Sequence, residues 1–114
     1  MNRDYESMII LRPDLEDQVR EEIFEKITKR IKDSGGEVLA SKIWAKERKF
    51  YYFLRGREAE KKKYHKGCYW QVNFTFDSDK LSELKETLRL EERILRNLII
   101  NRESKIKSRL SKED

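Results

Sequence analysis

The chain has 114 residues, of which 27 are Lys or Arg and 22 are Asp or Glu, so its net charge is +5. This length suits a single domain, and no apolar run approaches the roughly 20 residues that a membrane-spanning helix needs. One cysteine excludes an internal disulfide, and the polar N-terminus lacks an apolar signal core, so we expect the protein to stay inside the cell.

The first third of the chain predicts a strand followed by a helix. Residues Tyr5–Leu11 end in an apolar run that Pro13 stops, which is typical of a short strand. Asp14 is placed to cap a helix that runs to about Ser34, where Gly35 accepts the left-handed backbone of a helix end. The apolar positions that recur every fourth residue along this helix are Leu15, Val19, Ile23, Ile27 and Ile31.

The middle of the chain predicts two strands joined by a long loop. Val38–Leu54 is rich in β-branched and aromatic residues and has no helical period, which indicates one long strand bent near Ala45. Arg55–Lys66 is polar and is expected to form the loop. Cys68–Phe76 then alternates with a period of two, which predicts a third strand with Tyr69 on its outer face. The residues assigned to its core face are Trp70, Val72, Phe74 and Phe76.

The last part of the chain predicts a second helix, a fourth strand and a tail. Asp77 or Ser78 is placed to cap the helix, and Ile94–Arg102 is apolar enough to form the strand. Residues 103–114 form a basic polar tail that we expect to be flexible. The leucines that share one side of the helix are Leu81, Leu84 and Leu88.

The order strand, helix, strand, strand, helix, strand predicts an α+β fold over residues 1–102. Two helices on one face of a four-stranded antiparallel sheet give the ferredoxin-like two-layer sandwich, βαββαβ. In that arrangement the second face of the sheet has no helix over it, and it would carry Tyr69 with neighbours from the aromatic second strand. The strands carry apolar residues at both odd and even positions, so apolar side chains would point to both faces of the sheet. Those on the uncovered face would be exposed, which usually marks a protein interface.

Positive charge is concentrated in one segment. Between Lys42 and Lys66, ten basic residues stand against three acidic ones, a net charge of +7 in a chain whose total is +5. A solvated charge run is one interpretation. The interleaved aromatic residues favour RNA instead, because one segment can then neutralise phosphates and stack on bases. These aromatic residues are Trp44, Phe50, Tyr51, Tyr52, Phe53 and Tyr64.

Catalysis and metal binding find little support in the sequence. Zinc needs three or four ligands, and His65 with Cys68 supplies two. A single histidine leaves a nucleophile without its usual base, and the familiar phosphate-cradling glycine motifs do not occur. We therefore predict no enzyme activity, metal, cofactor, small-molecule substrate or membrane partner. The enzymatic alternative is acyl phosphate hydrolysis through Arg12, after the first strand.

A single-stranded RNA-binding module of the RNA-recognition-motif type is the alternative among binding proteins. Such modules have the same strand order and stack bases on aromatic residues of the third strand. Lys66-Gly67 before Trp70 is similar to part of their octamer motif, although the two stacking positions would be Cys68 and Trp70 or would be shifted. The hexamer of their first strand is not matched.

Tyr5-Glu6 stands before an apolar strand and Pro13, and the second strand contains the block Lys46–Leu54. In both features the first half of the chain resembles the ribosomal protein S6 family of the bacterial small subunit. Lys46–Leu54 is similar to the family block Gly-x-Arg-x-Leu-Ala-Tyr-x-Ile. Arg48 and Tyr52 are the residues of that block that this sequence retains.

The second half of the chain resembles the same family in the same order. Gly67–Tyr69 matches the start of the third strand. Leu88–Arg96 is similar to the pattern Leu-Arg-x-x-(Asp/Glu)-x-Ile-(Ile/Leu)-Arg that precedes the last strand. The resemblance extends from about Arg3 to Arg102. The loop Arg55–Lys66 is longer than usual, which with the altered central block indicates a divergent or specialised member.

The resemblance implies a fold, a function and partners. Members of the family have the ferredoxin-like fold and do no chemistry. They pair with small-subunit protein eighteen and bind the central domain of 16S ribosomal RNA after small-subunit protein fifteen. The chain is therefore expected to be a structural constituent of the small subunit in cytoplasmic ribosomes, with an organellar ribosome left open.

The resemblance also selects candidate RNA-binding residues by position. Arg3 is expected to touch phosphate, because the family has basic residues before its Tyr-Glu. Tyr5 either stacks on RNA or packs within the protein. Arg48 and Arg96 are expected to bridge to RNA or to the partner protein.

The remaining candidates have a weaker basis in the family. Arg89 matches a family position, but pairing with Glu92 or capping the second helix explains it equally well. Four lysines lie in the enlarged loop, where the family gives no guide, and they are predicted to bind RNA from their charge alone. They are Lys61, Lys62, Lys63 and Lys66.

Overall fold

A computed structural model describes residues 1–102 and confirms the ferredoxin-like sandwich. Four antiparallel strands form one sheet in the order β2-β3-β1-β4, with two helices against one face. The predicted tail, 103–114, lies outside the described residues. Within the described part, neither helix is long and apolar enough to span a bilayer. The elements are β1 (Asn2–Leu11), α1 (Asp17–Asp33), β2 (Glu37–Arg55), β3 (Lys63–Asp77), α2 (Leu81–Leu90) and β4 (Ile94–Asn101), with a 3₁₀ turn at Ser78–Lys80.

The core lies between the two central strands and the helices. Trp70 of β3 is fully buried, pairs with buried Ile9 of β1, and packs its ring 4.3 Å from that of Phe24 on α1. The predicted inward residues of β3 are confirmed, since Trp70, Val72, Phe74 and Phe76 are all at most 1% exposed. The predicted stripe of α1 supplies the opposing surface through its buried members Ile23, Ile27 and Ile31.

The predicted start of the first helix is wrong by two residues. The helix begins at Asp17, with Glu16 as its N-cap residue, whereas Asp14 forms an ion pair with Arg12 (2.8 Å). That pair lies across Pro13, which explains why Asp14 does not cap the helix. The predicted end holds, because Gly35 adopts φ = +86° just past the helix.

The long loop of the prediction is partly strand. β3 begins at Lys63 rather than at Cys68, so only residues 56–62 separate β2 from β3. β1 pairs with β3 no further than the Leu11–Cys68 pair, so residues 63–67 pair with β2 alone. The result is a two-stranded hairpin that projects beyond the sheet, and we call residues 48–67 the arm. Eight basic and two acidic residues give the arm a charge of +6.

A buried carboxylate fastens the turn between α2 and β4 to α1. Glu91 is 7% exposed and accepts hydrogen bonds from Arg93 Nε (2.7 Å) and Lys26 Nζ (2.9 Å). These hydrogen bonds, above all those from Arg93, lower the pKa of Glu91 to about 2 from its ordinary value of 4.5. Charge-assisted hydrogen bonds to both sides of one carboxylate hold the start of β4 in place.

Glu91→Gln is expected to lower the free energy of unfolding at pH 7 by about 2 kcal/mol. Because the pKa of Glu91 is lower in the folded state, its contribution is complete above pH 4.5 and is lost as the pH falls towards 2. Urea unfolding between pH 7 and pH 2 measures this. Glu92→Gln removes the exposed neighbouring carboxylate and serves as the control. If the wild type and Glu91→Gln lose stability in parallel below pH 4.5, the proposed role of Glu91 is wrong.

Candidate functional site

The sheet face turned away from the helices, here called the open face, carries apolar side chains. Paired residues of neighbouring strands point to the same side, so the strand pairing extends this surface across three strands. Met8 lies opposite Leu98, which is 64% exposed, and Ile10 lies between Tyr69 and Arg96. Contiguous exposed apolar surface is typical of a protein interface. The apolar patch consists of Met8, Ile10, Tyr69, Leu98 and Ile100.

A chain of hydrogen bonds borders this patch. Trp44 Nε1 donates to Gln71 Oε1 at 2.5 Å, and Gln71 Nε2 donates to Glu6 Oε1 at 2.5 Å. The ammonium group of Lys42 lies 4.7 Å from the centre of the Trp44 ring, a cation–π contact. The network holds the Trp44 indole, which is 55% exposed, against the sheet edge formed by β2. These contacts fix the positions of Trp44 and Gln71 beside the apolar patch.

The arm contains a wide bulge made of aromatic residues. Lys49 pairs with Lys66 and Leu54 pairs with Tyr64, so four residues of β2 stand opposite one residue of β3. Such an insertion breaks the strand pairing and bends the strand. Tyr51 and Tyr52 are thereby pushed outward, at 98% and 80% exposure. The four inserted residues are Phe50, Tyr51, Tyr52 and Phe53.

The tip of the arm is fastened to the loop after β1. Glu58 Oε1 accepts the backbone N–H of Lys62 at 2.8 Å and the hydroxyl of Tyr64 at 3.5 Å. The guanidinium of Arg12 lies 5.5 Å from the Tyr64 ring centre and binds Asp14 through two hydrogen bonds. Those bonds to Arg12 lower the pKa of Asp14, and burial raises the pKa of Tyr64. The fastening fixes the direction in which the arm projects.

An open cleft of about 520 Å³ lies between the arm and the open face. Its sheet side is the row Tyr69, Ile10 and Arg96, and Phe50 and Tyr52 contribute from the arm. Arg96 Nη1 donates to the backbone oxygen of Arg55 at 3.4 Å, which ties the arm back to β4. The arm therefore covers one end of the open face and leaves the part around Met8 and Leu98 accessible. The other cleft residues are Arg48, Lys49, Tyr51 and Leu54.

Two of the predicted RNA-binding arginines meet at this cleft. The guanidinium of Arg48 lies 5.4 Å from the Tyr69 ring centre, and Arg96 stands in the same row of the sheet, two strands away. Both side chains are exposed. Both line the cleft together with its aromatic residues, and their contact with RNA or with a partner protein stays a prediction.

The predicted lysines of the enlarged loop lie on the arm, with several of them already paired. Lys62 and Lys66 form ion pairs with Glu60 (3.5 Å) and Glu47 (3.3 Å). Lys63 lies 4.8 Å from the Phe53 ring centre, and Lys61 sits at φ = 49° in the turn at the tip. Exposed pairs of this kind contribute little to stability, so an incoming phosphate can replace the carboxylates.

Three predicted residues lie away from the cleft. Arg3 is seven residues from Ile10 along β1, which places it about 23 Å away at the usual rise of a strand. Tyr5 is 5% exposed, with its ring 5.8 Å from that of Phe74, so it takes the packing role and is removed from the RNA-contacting set. Arg89 belongs to α2 in the helical layer and pairs with Glu86 (2.9 Å) rather than with Glu92.

The structure limits each alternative function. Cys68 and Trp70 are buried in the core, so neither can stack on a base as the unshifted RNA-recognition-motif interpretation requires, whereas the shifted one would use Tyr69 on the open face. Cys68 and His65 are three residues apart on one strand and so point to opposite faces. Among residues 1–102, no group of three or more His, Cys, Asp or Glu side chains is arranged to hold a metal. Arg12 is occupied by Asp14 and Tyr64.

Sequence reasoning missed the cleft itself. The aromatic run of β2 was visible, but a sequence does not show that four of its residues bulge out of one pairing step. Nothing in the sequence around Ile10 or Lys49 indicated that these residues line a cleft. The nearest available clue was Gly67, where an added Cβ would lie 2.7 Å from Phe50 and 2.8 Å from Ile10. A glycine at this position lets the arm lie close to the sheet.

Comparisons with known proteins identify the family. The sequence model of ribosomal protein S6 matches residues 4–101, which is nearly the whole described domain. The chain belongs to the ribosomal protein S6 family. Small ribosomal subunit protein bS6 of Limosilactobacillus reuteri is 34% identical over 99 residues, covering 86% of this chain and 93% of the relative. The bS6 protein of Carboxydothermus hydrogenoformans is 36% identical over 100 residues, covering 88% and 96%.

A solved structure of the S6 family has the same architecture. The crystal structure of 30S ribosomal protein S6 from Thermotoga maritima superposes with a TM-score of 0.76 at 27% identity, covering 100% of both chains. The family resemblance found in the sequence is thereby confirmed. The open face, the arm and the cleft all lie inside the range that the family model matches.

Proposed function

We propose that this S6-family chain is a structural constituent of the small ribosomal subunit that binds 16S ribosomal RNA together with small-subunit protein eighteen. The observation that carries the proposal is the family match over residues 4–101, which includes every element of the two-layer domain. The relatives named above are small-subunit proteins of bacteria, which supports a place on cytoplasmic ribosomes.

The open face is the part of the molecule suited to the partner protein. Its apolar patch centres on Met8 and Leu98, while the hydrogen-bonded Trp44 and Gln71 stand beside it. An apolar centre with polar groups at its margin is the usual composition of a protein interface. Burial of Leu98 alone removes from water a side chain that is 64% exposed in the free chain. The partner would therefore gain most of its binding energy from this patch.

The arm is the part suited to RNA. Its charge of +6 is larger than that of the whole chain, and its ion pairs with Glu47 and Glu60 are solvent-exposed. Phosphates can displace such weakly paired carboxylates and release counterions at the same time. Because Arg96 and Arg55 tie the arm to β4, RNA on the arm and a protein on the open face would be neighbours. The chain would then act in assembly, by holding a folded RNA junction against a second protein.

Reconstitution with purified components tests this function. The full chain, protein eighteen and a 16S central-domain RNA fragment with protein fifteen bound are expected to form a complex, whose affinity falls linearly with salt on a log–log scale. Binding that is no tighter than to heparin, with protein eighteen present, would overturn the proposal. Binding that does not respond to salt would contradict the part assigned to the arm.

Replacing Lys61, Lys62 and Lys63 by glutamine is expected to reduce the slope of that salt dependence. Each phosphate contact contributes about 0.9 to the log–log slope on a B-form duplex and about 0.7 on single strands, so the triple variant should lose about 2 to 3. The matched control replaces Lys29, Lys32 and Lys85, which are exposed on the two helices, and changes the net charge equally. Equal losses in both triple variants would mean that the arm holds no particular place on the RNA.

A further inference from the structure

We propose that the cleft between the arm and the open face holds one unstacked nucleotide of single-stranded RNA, with its base against the exposed rings of Tyr51 and Tyr52. The inference rests on the proposed RNA-binding function and adds a defined subsite to it. The cleft volume of about 520 Å³ falls within the range of roughly 300–1,000 Å³ that small-ligand sites occupy.

The aromatic side of the cleft is exposed in a way that the fold itself does not require. Tyr51 and Tyr52 are 98% and 80% exposed, and their ring centres are 5.9 Å apart with planes inclined by 55°. Packing in the core explains neither ring. Every base has a π face, so rings that stand free beside a groove are suited to stacking without sequence preference. The bulge presents two such rings next to each other.

The charge of the cleft selects a nucleotide over an apolar protein side chain. Arg48, Lys49 and Arg96 line it, and none of the lining residues in the described part of the chain is acidic. A guanidinium has five donors, so Arg96 retains several after its hydrogen bonds to the backbone oxygens of Arg55 and Leu95. A base carries its own phosphate into the cleft, whereas an aromatic residue of a protein would leave these cations uncompensated.

The cleft is already shaped in the free chain. Gly67 has no Cβ, which lets Phe50 lie close to Ile10, and the Phe50 ring centre is 6.2 Å from that of Tyr69. The hydrogen bond from Arg96 to Arg55 then sets the distance between the arm and β4. A site that is formed before binding loses less conformational entropy when the ligand arrives.

A fluorescent oligonucleotide tests the subsite directly. The probes are an eight-residue oligoadenylate with 2-aminopurine at its centre and an RNA duplex of equal phosphate number, each titrated with the full chain. Stacking in the cleft is expected to quench the 2-aminopurine. In the double variant Tyr51→Leu/Tyr52→Leu, we expect affinity for the single strand to fall roughly ten-fold and the quenching to disappear. Affinity for the duplex should change less than about two-fold, since phosphate contacts dominate there.

Phe53→Leu is the matched control, because Phe53 belongs to the same bulge but does not line the cleft. Its ring contacts His65 and Lys63 instead. It is expected to leave single-strand affinity and quenching at wild-type levels. A loss of affinity in Phe53→Leu equal to that in the double variant would overturn the subsite.

Three other results would also overturn the subsite. One is an equal loss of affinity for the single strand and the duplex in the double variant. Another is weaker binding of protein eighteen with the oligonucleotide unaffected, which would make the cleft a protein pocket. The third is a wild-type chain that assembles with 16S RNA but does not quench the probe, which leaves the proposed function intact. Conversely, quenching without assembly would contradict the proposed function and support the subsite.

Discussion

Trp70→Ala is expected to lower the free energy of unfolding by about 3–5 kcal/mol, the usual cost of removing a large aromatic side chain from a core. Trp70 is fully buried, donates from Nε1 to the Ser41 hydroxyl at 2.7 Å, and packs against Phe24. Domains of this size have about 5–15 kcal/mol of stability in total, so roughly a fifth or more would be lost. Guanidinium unfolding followed by circular dichroism measures the change. Loss of the core residue should also loosen β3, which positions Tyr69 on the open face.

The second tryptophan provides a matched control. Trp44 is 55% exposed, and its replacement by alanine removes one hydrogen bond to Gln71 and a contact with Lys42. We expect Trp44→Ala to cost about 1 kcal/mol or less. If the two variants were destabilised equally, the assignment of Trp70 to the core and Trp44 to the open face would be wrong. Trp70→Phe, which retains most of the packing, should lie between them.

The sequence was sufficient for the fold because its strongest patterns have one physical interpretation. Strict alternation from Cys68 to Phe76 can bury only one set of side chains, and the structure buries Trp70 and its alternate neighbours. The four-residue spacing in α1 leaves one apolar side, which must face that set. Burial of apolar surface dominates the energetics of both elements, so no knowledge of distant contacts was needed to place them.

Patterns with two interpretations were settled by contacts that a sequence does not show. All three residues of the run Leu98–Ile100 are apolar, so the sequence does not show which of them face the core. The pairing of Ser7 with Ile99 places Ile99 on the core side and Leu98 on the open face. Tyr5 fitted stacking and packing equally until its neighbour Phe74 was known. The extension of β3 to Lys63 arises from pairing with a bulged β2, where alternation is lost. The cleft depends on that bulge, so it could not be predicted.

Leu98→Glu is expected to weaken binding to protein eighteen by at least roughly 100-fold while leaving the chain folded, which corresponds to about 2.7 kcal/mol. Leu98 stands opposite Met8 in the centre of the accessible part of the open face. A carboxylate buried there by a protein partner would lose its hydration among the apolar side chains of Met8, Ile10 and Ile100. Isothermal titration calorimetry measures the affinity.

Leu90→Glu makes the same chemical change on the other layer. Leu90 ends α2 and is 65% exposed, against 64% for Leu98, so both variants should keep wild-type stability within about 0.5 kcal/mol. Only the change at Leu98 should affect the partner, because only the open face is proposed to be covered. If both variants bind protein eighteen as the wild type does, the partner must use a different surface. If Leu90→Glu alone weakens binding, that surface is the helical layer.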